Sequence, residues 1–81
     1  MMERQELLAT VVSTLRSIAP EIDAGELVAG RALREQVDLD SMDWLNFLIG
    51  LHRKLQVDIP EADYARLRTL NDLVEYLGAK L

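Results

Sequence analysis

Asp40-Ser41-Met42-Asp43-Trp44-Leu45-Asn46-Phe47-Leu48-Ile49-Gly50-Leu51-His52-Arg53-Lys54-Leu55 is the stretch on which the fold turns. Trp44, Leu48, Leu51 and Leu55, with Phe47 beside them, recur at i, i+4, i+7 and i+11, the spacing of one helix face. Asp40 is placed to cap the helix, and Asp43 lies in its first turn, where a carboxylate meets the positive end of the dipole. Arg53 and Lys54 fall in the last turn, which suits cations, so the local charges agree with the helix direction. A second apolar row, Met42, Leu45 and Ile49, follows i, i+3, i+7. At about 100° per residue the two rows centre on different parts of the circumference. A chain of 81 residues can hardly bury a helix on all sides. Phe47, Leu48, Leu51 and Leu55 are assigned to the core, and Met42, Leu45 and Ile49 to a partly exposed partner surface. From the pattern alone, the connection before Asp40 could equally well cover that second row.

Working outward, Leu8, Val11, Leu15 and Ile18, with Leu7 and Val12, predict a first helix over about Met2 to Ser17. Pro20 disfavours helix at Ala19 and ends it. A long connection then runs from Pro20 to about Leu39, with Leu27, Val28 and Leu33 expected to tack it onto the core. Connections of this length in small domains are uncommon and often functional. Beyond Leu55, Pro60 introduces a short helix over Glu61 to about Leu67. Thr69 caps a last helix with Asp72 three residues on, and Leu70, Leu73, Val74, Leu77 and Leu81 form its buried stripe. The expected fold is all-α, a small bundle of three main helices plus one short helix, in a single domain covering 1–81.

Composition narrows the function. Apolar residues make up 49% of the chain, enough for a small core, and leucine dominates them. The formal net charge of -5 opposes phosphate backbones, so nucleic-acid binding is not expected. The N-terminal Met1-Met2-Glu3-Arg4-Gln5-Glu6 carries acids with no long apolar run behind it. Neither a signal peptide nor membrane insertion is expected, and a cytoplasmic location follows. There is no cysteine and a single histidine, His52, which leaves no disulfide, no thiolate nucleophile and no histidine-based metal cluster.

Autonomous catalysis has little to work with. Ser41 and His52 are eleven positions apart, about 16 Å of rise on one helix, and cannot form a dyad. His52 is expected at the rim of the exposed row or in solvent, and Ser13 and Ser17 as exposed filler on the first helix. Ser41 stands apart by position: it follows a long loop, starts a helix and borders the second apolar row. A phosphodiester on its hydroxyl would lie near free N–H groups and the positive dipole end. The simpler reading of the residue on its own is a helix cap.

The run Asp40-Ser41-Met42 resembles the Asp-Ser-Leu motif of acyl and peptidyl carrier proteins, and the following apolar helix resembles theirs. Val57-Asp58-Ile59-Pro60-Glu61-Ala62-Asp63 looks like the family's turn into a short third helix. Arg68-Thr69-Leu70-Asn71-Asp72-Leu73-Val74-Glu75-Tyr76-Leu77 looks like its last helix. The tripeptide alone is weak; three segments in order, covering most of 33–81, are specific.

The resemblance implies a 4′-phosphopantetheine arm placed on Ser41 by a phosphopantetheinyl transferase, with Asp40 recognised by that transferase. The arm's thiol would carry acyl groups as thioesters, which fits a chain without cysteine. It also implies acyl-activating, condensing or acyl-transfer enzymes as partners, contacts through Met42, Leu45 and Ile49, a monomer, no metal and no catalysis by the chain itself. Met42 replaces the usual leucine at similar volume. Asp38 stands where glycine often precedes the motif, and Trp44 is bulky for its place. Asn46, His52, Arg53 and Lys54 occupy places that often hold carboxylates, which points to a specialised fatty acid, polyketide or related pathway. Two alternatives stay open: an aminoacyl or peptidyl carrier, including a D-alanyl carrier, and a helical interaction module that is never modified.

Overall fold

Pro20 has the predicted effect: the first helix, α1 (Arg4–Ile18), stops two residues before it, and Ala19 leaves helical geometry at φ -129°, ψ 79°. The structure is a computed structural model describing residues 2–81; Met1 lies outside the described residues. After α1 come a 3₁₀ turn, η1 (Ala24–Glu26), a single helical turn, α2 (Leu33–Gln36), and the central helix, α3 (Ser41–Leu55). A 3₁₀ helix, η2 (Glu61–Arg66), and α4 (Leu70–Lys80) complete the chain. The all-α expectation stands, with three long helices. The connection expected as a plain loop contains two short elements of its own, η1 and α2, which carry no long apolar period for a sequence reading to detect.

One face of each long helix closes the core. Leu7, Val11 and Leu15 of α1, Phe47, Leu48 and Leu51 of α3, and Leu70, Leu73, Val74 and Leu77 of α4 are all buried. Each large aliphatic or aromatic side chain so placed contributes about 1.5–3 kcal/mol of transfer free energy. Four expected core members fall short, Leu27 among them because it is only half-buried. Leu55 is half-buried at the end of α3, and Leu81 is exposed because α4 ends one residue before it. Val28 is exposed as well, and the connection is anchored by Leu33, as expected, together with Ile22, Val37 and Leu39.

Close helix packing needs a small residue where α3 crosses α1. A Cβ on Gly50 would stand 3.0 Å from Thr14 Cγ2. Thr14 is itself buried, and its hydroxyl donates to the Thr10 carbonyl at 2.7 Å, so burial leaves no polar atom unpaired.

Backbone and side-chain bonds fasten the connection where leucines alone would leave it loose. Gln36 receives the Val28 N–H on its carbonyl oxygen (2.7 Å) and donates to the Val28 and Arg31 carbonyls (2.9 and 3.0 Å). Leu33 N–H donates to the Arg68 carbonyl (2.8 Å), Ala32 pairs with Thr69 in an isolated antiparallel bridge, and Asn71 N–H donates to the Ala29 carbonyl (3.1 Å). Arg4 reaches across from α1 to Asn71 Oδ1 at 3.1 Å. Start of α1, middle of the connection and start of α4 therefore meet in one place.

At the far end of α3 the chain turns through Gln56, the one non-glycine among the described residues with positive φ (55°). Left-handed backbone is costly for a side-chain-bearing residue. The turn is held by Gln56 donating to the Arg53 carbonyl (2.7 Å) and by His52. His52 Nδ1 lies 2.7 Å from the Val57 carbonyl, which can only accept, so Nδ1 carries the proton of that bond.

Candidate functional site

The N-terminus of α3 is built by its flanking residues. Leu39 is buried and pins the end of the connection, and Arg34 donates to its carbonyl at 3.4 Å. Asp40 follows in extended geometry (φ -79°, ψ 178°), and its carboxylate accepts the Asp43 N–H at 2.7 Å. Its carbonyl takes the first intrahelical bond, from Trp44 N–H at 3.0 Å. Asp40 is thus the N-cap in full, and the simpler reading of Ser41 as the cap does not hold. Ser41 is the first helical residue, exposed, with its hydroxyl free of capping duty.

That geometry suits a large substituent. Ser41 is exposed at the start of α3, where the bundle does not enclose a substituent. The N–H groups of Ser41 and Met42 precede the one Asp40 satisfies, and a helix start leaves such donors without intrahelical partners. A phosphodiester at this point would lie in the field of the helix dipole. An exposed hydroxyl beside unpartnered helix-start N–H groups fits a phosphopantetheine arm.

The second apolar row lies on the open side of α3. Met42 is 65% exposed, Leu45 36%, and Ile49 is half-buried, so the connection does not cover them. The opposite face, Phe47, Leu48 and Leu51, is fully enclosed. Trp44 sits between these sides, half-buried, with its ring 5.2 Å from Phe47 and tilted by 47°. His52 is exposed eleven residues from Ser41 along one uninterrupted helix, which rules out a Ser–His pair. Among the described residues no group of three or more His, Cys, Asp or Glu could hold a metal ion, and no helix is long and apolar enough to cross a membrane.

Sequence reasoning missed Gln36 and Arg34, which shape the approach to Asp40. A lone glutamine or arginine in a connection has no spacing to betray it. It also missed the clasp on η2: the Tyr76 hydroxyl donates to Asp63 Oδ2 at 2.5 Å, while Lys80 Nζ stands 4.9 Å from the Tyr76 ring centroid. Partial burial first, and the Asp63 carboxylate second, raise the Tyr76 pKa above its ordinary value of 10.0 against a smaller opposing pull from Lys80.

Comparison with known proteins bears on this site. The family described as "Phosphopantetheine attachment site" matches residues 6–77. The meromycolate extension acyl carrier protein of Mycolicibacterium aurum is 27% identical over 74 residues, 91% of this chain and 75% of its own length. Its namesake from Mycobacterium leprae is 26% identical over 74 residues, and there the chain spans only 64% of the relative's length. An acyl carrier protein of Kineococcus radiotolerans is 27% identical over 71 residues, covering 84% of this chain and 88% of that one. Among solved structures, the acyl carrier protein from Enterococcus faecalis matches with a TM-score of 0.77 over 99% of this chain and 100% of its own, at 20% identity. The fold of α1 to α4 is thus that of an acyl carrier protein.

Proposed function

We propose that this chain, which belongs to the phosphopantetheine attachment site family, is an acyl carrier whose Ser41 holds the arm. The family is one of carriers rather than catalysts, and it fixes the prosthetic group as 4′-phosphopantetheine. The observation that carries the assignment to Ser41 is its release from capping: Asp40 takes the cap bond, and an exposed hydroxyl is left at the helix mouth within the matched span. Bound to that oxygen, the arm supplies a thiol that holds acyl groups as thioesters.

The chain's own residues do the rest. Asp40 fixes the turn that presents Ser41 and offers an exposed carboxylate for transferase recognition. Met42, Leu45 and Ile49 form the apolar surface for the transferase and for acyl-activating, condensing or acyl-transfer enzymes. The names of the relatives favour acyl over aminoacyl cargo. The reduced acidity of α3 around Asn46, His52 and Arg53 favours a specialised pathway with residues 1–81 acting as one monomeric carrier domain.

Intact mass spectrometry after incubation with coenzyme A and a broad-specificity transferase tests this directly. One phosphopantetheine should be gained by the native chain and by Ser13→Ala, and none by Ser41→Ala. An unchanged native mass, under conditions that convert a control carrier, favours the unmodified interaction module. Loading of the holo-protein by amino-acid-activating enzymes alone would overturn the acyl assignment.

A further inference from the structure

Three carboxylates crowd the residue assigned to the arm. Asp38, Asp40 and Asp43 all stand within three positions of Ser41, and no lysine or arginine occurs between Arg34 and Arg53. A phosphodiester formed on Ser41 adds another negative charge to this group, and like charges at such range oppose it. The unpartnered N–H groups at the start of α3 offset part of that repulsion, but they carry only partial charge. A full positive charge beside Ser41 has to come from a residue that the fold brings back to it.

Arg34 is that residue. The single turn of α2 and the buried Val37 and Leu39 bend the connection so that the Arg34 guanidinium reaches the Leu39 carbonyl at 3.4 Å. Leu39 precedes Ser41 by two residues, a chain span of at most about 7 Å. The guanidinium has five N–H donors, and this long bond is the one it makes among the described residues. It has no acid of its own either, since the ion pair formed among the described residues is Arg66–Asp63. Arg34 is exposed, so its side chain can turn toward Ser41 with little buried surface to give up.

Other arginines are committed elsewhere. Arg31 lines a groove on the connection with Glu21, Asp23, Glu26 and Asp38, which outnumber it. Arg68 shares a cleft with Arg34, but its backbone belongs to the junction of η2 and α4, where it bonds to Leu33 and Asp72. Among the described residues Arg34 is the one cation hydrogen-bonded to residues 39–41. A guanidinium fork matches a pair of phosphate oxygens. Resting on the assignment of the arm to Ser41, we propose that Arg34 is the counter-ion of the arm, its guanidinium holding the phosphodiester. The root of the arm is then fixed beside α2, while the pantetheine beyond it stays free to move.

Comparing apo and holo forms of the same variant cancels what each substitution does to the bundle itself, including loss of the bond to Leu39. The native chain, Arg34→Gln and Arg68→Gln are modified from coenzyme A by a broad-specificity transferase, and the gain of one phosphopantetheine is confirmed by intact mass. At low salt the holo-minus-apo difference in melting temperature should be about 3 °C more positive in the native chain than in Arg34→Gln. That is the size expected of one exposed ion pair in a domain of this length. Arg68→Gln should match the native chain, and the gap to Arg34→Gln should close in about 0.5 M salt. The arm brings the holo-protein its only phosphorus, whose NMR resonance should move in Arg34→Gln and keep its native position in Arg68→Gln. In the native chain the Arg34 Nε–H resonance should shift between apo and holo forms, a reading that stands even if Arg34→Gln does not fold. Equal holo-minus-apo differences in the native chain and Arg34→Gln overturn the proposal. So does a phosphorus resonance indifferent to Arg34, or an Arg34 Nε–H resonance unmoved by the arm. An equal response to Arg68→Gln also overturns it, by making the effect one of overall charge. Failure of the native chain to gain mass is a distinct result: it withdraws Ser41 itself, and this proposal with it.

Discussion

Replacing Gly50 by alanine sets two opposing effects against each other at one well-defined contact. In the middle of a helix, alanine is favoured over glycine by about 1 kcal/mol. The added Cβ, however, meets Thr14 Cγ2 at 3.0 Å, and that methyl belongs to a buried side chain tethered to the Thr10 carbonyl. Overpacking a closed interface costs about 1–3 kcal/mol, so Gly50→Ala should lose between 0 and about 2 kcal/mol net. Thr14→Ser removes the offending methyl and keeps the hydroxyl bond; alone it should lose about 1 kcal/mol for one buried methyl. In the double variant the alanine methyl occupies the space Thr14 vacates, and the helix preference of alanine is recovered. Stability should return close to that of the native chain, with a coupling of about 1–3 kcal/mol. Urea unfolding followed by far-ultraviolet circular dichroism gives all four free energies, and 1 kcal/mol also moves the melting temperature by about 4–8 °C in a chain this size. Additivity of the two substitutions within about 0.5 kcal/mol would refute the reasoning, since uncoupled sites behave that way. So would a Gly50→Ala protein more stable than native by the full propensity difference.

Three other substitutions probe separate features. Asp40→Asn should keep the cap and leave stability within a few tenths of a kcal/mol, whereas Asp40→Ala should lose about 1 kcal/mol in urea unfolding. Slow transferase modification of both variants would identify the carboxylate itself as recognised, and slow modification of the alanine variant alone would assign the effect to the turn. Gln56→Gly should raise stability by about 0.5–1 kcal/mol, because glycine adopts φ 55° without strain, and an unchanged urea midpoint would show that the Gln56–Arg53 bond offsets it. Tyr76→Phe should lose about 0.5–1 kcal/mol at neutral pH by deleting the bond to Asp63. Because folding raises the Tyr76 pKa above 10.0, its contribution is complete below that pH and is lost as pH rises through the folded value. The gap between native and Tyr76→Phe proteins should therefore narrow above pH 10 in paired melts, and a gap that widens there would contradict the arrangement.

The long helices were legible because their chemistry is periodic and their ends are punctuated. Pro20, Asp40 and the Thr69–Asp72 capping box each act through a local backbone effect that needs no knowledge of the rest of the chain. The capping box forms in both directions, as the spacing of the two residues implied. The two apolar rows of α3 were also visible, but which one faces solvent depends on where the connection runs. That path is set by Gln36, by the Ala32–Thr69 bridge and by bonds to backbone carbonyls, which leave no trace in hydrophobic spacing. Val28 was misassigned for the same reason: polar bonds to Gln36 hold its backbone while its side chain faces outward. At the candidate site, position picked out Ser41, and family resemblance gave it a role. Arg34 and Arg68 became visible as a pair only once folding had carried residues far apart in the chain to one cleft.

The meeting of Arg4, Ala29 and Asn71 has a consequence for how the protein is made. A growing polypeptide leaves the ribosome from its amino end, and Arg4 waits 67 positions for the side chain that receives it. Until Arg68 and Asn71 emerge, the Leu33 amide and the Ala29 carbonyl lack their native partners, and the apolar faces of α1 and α3 lack the helix that closes over them. Closing so distant a contact carries an entropic cost that only the finished set of interactions offsets. Folding should therefore be cooperative and wait for α4, and a ribosome stalled before α4 has emerged would display an open chain rather than a partial bundle.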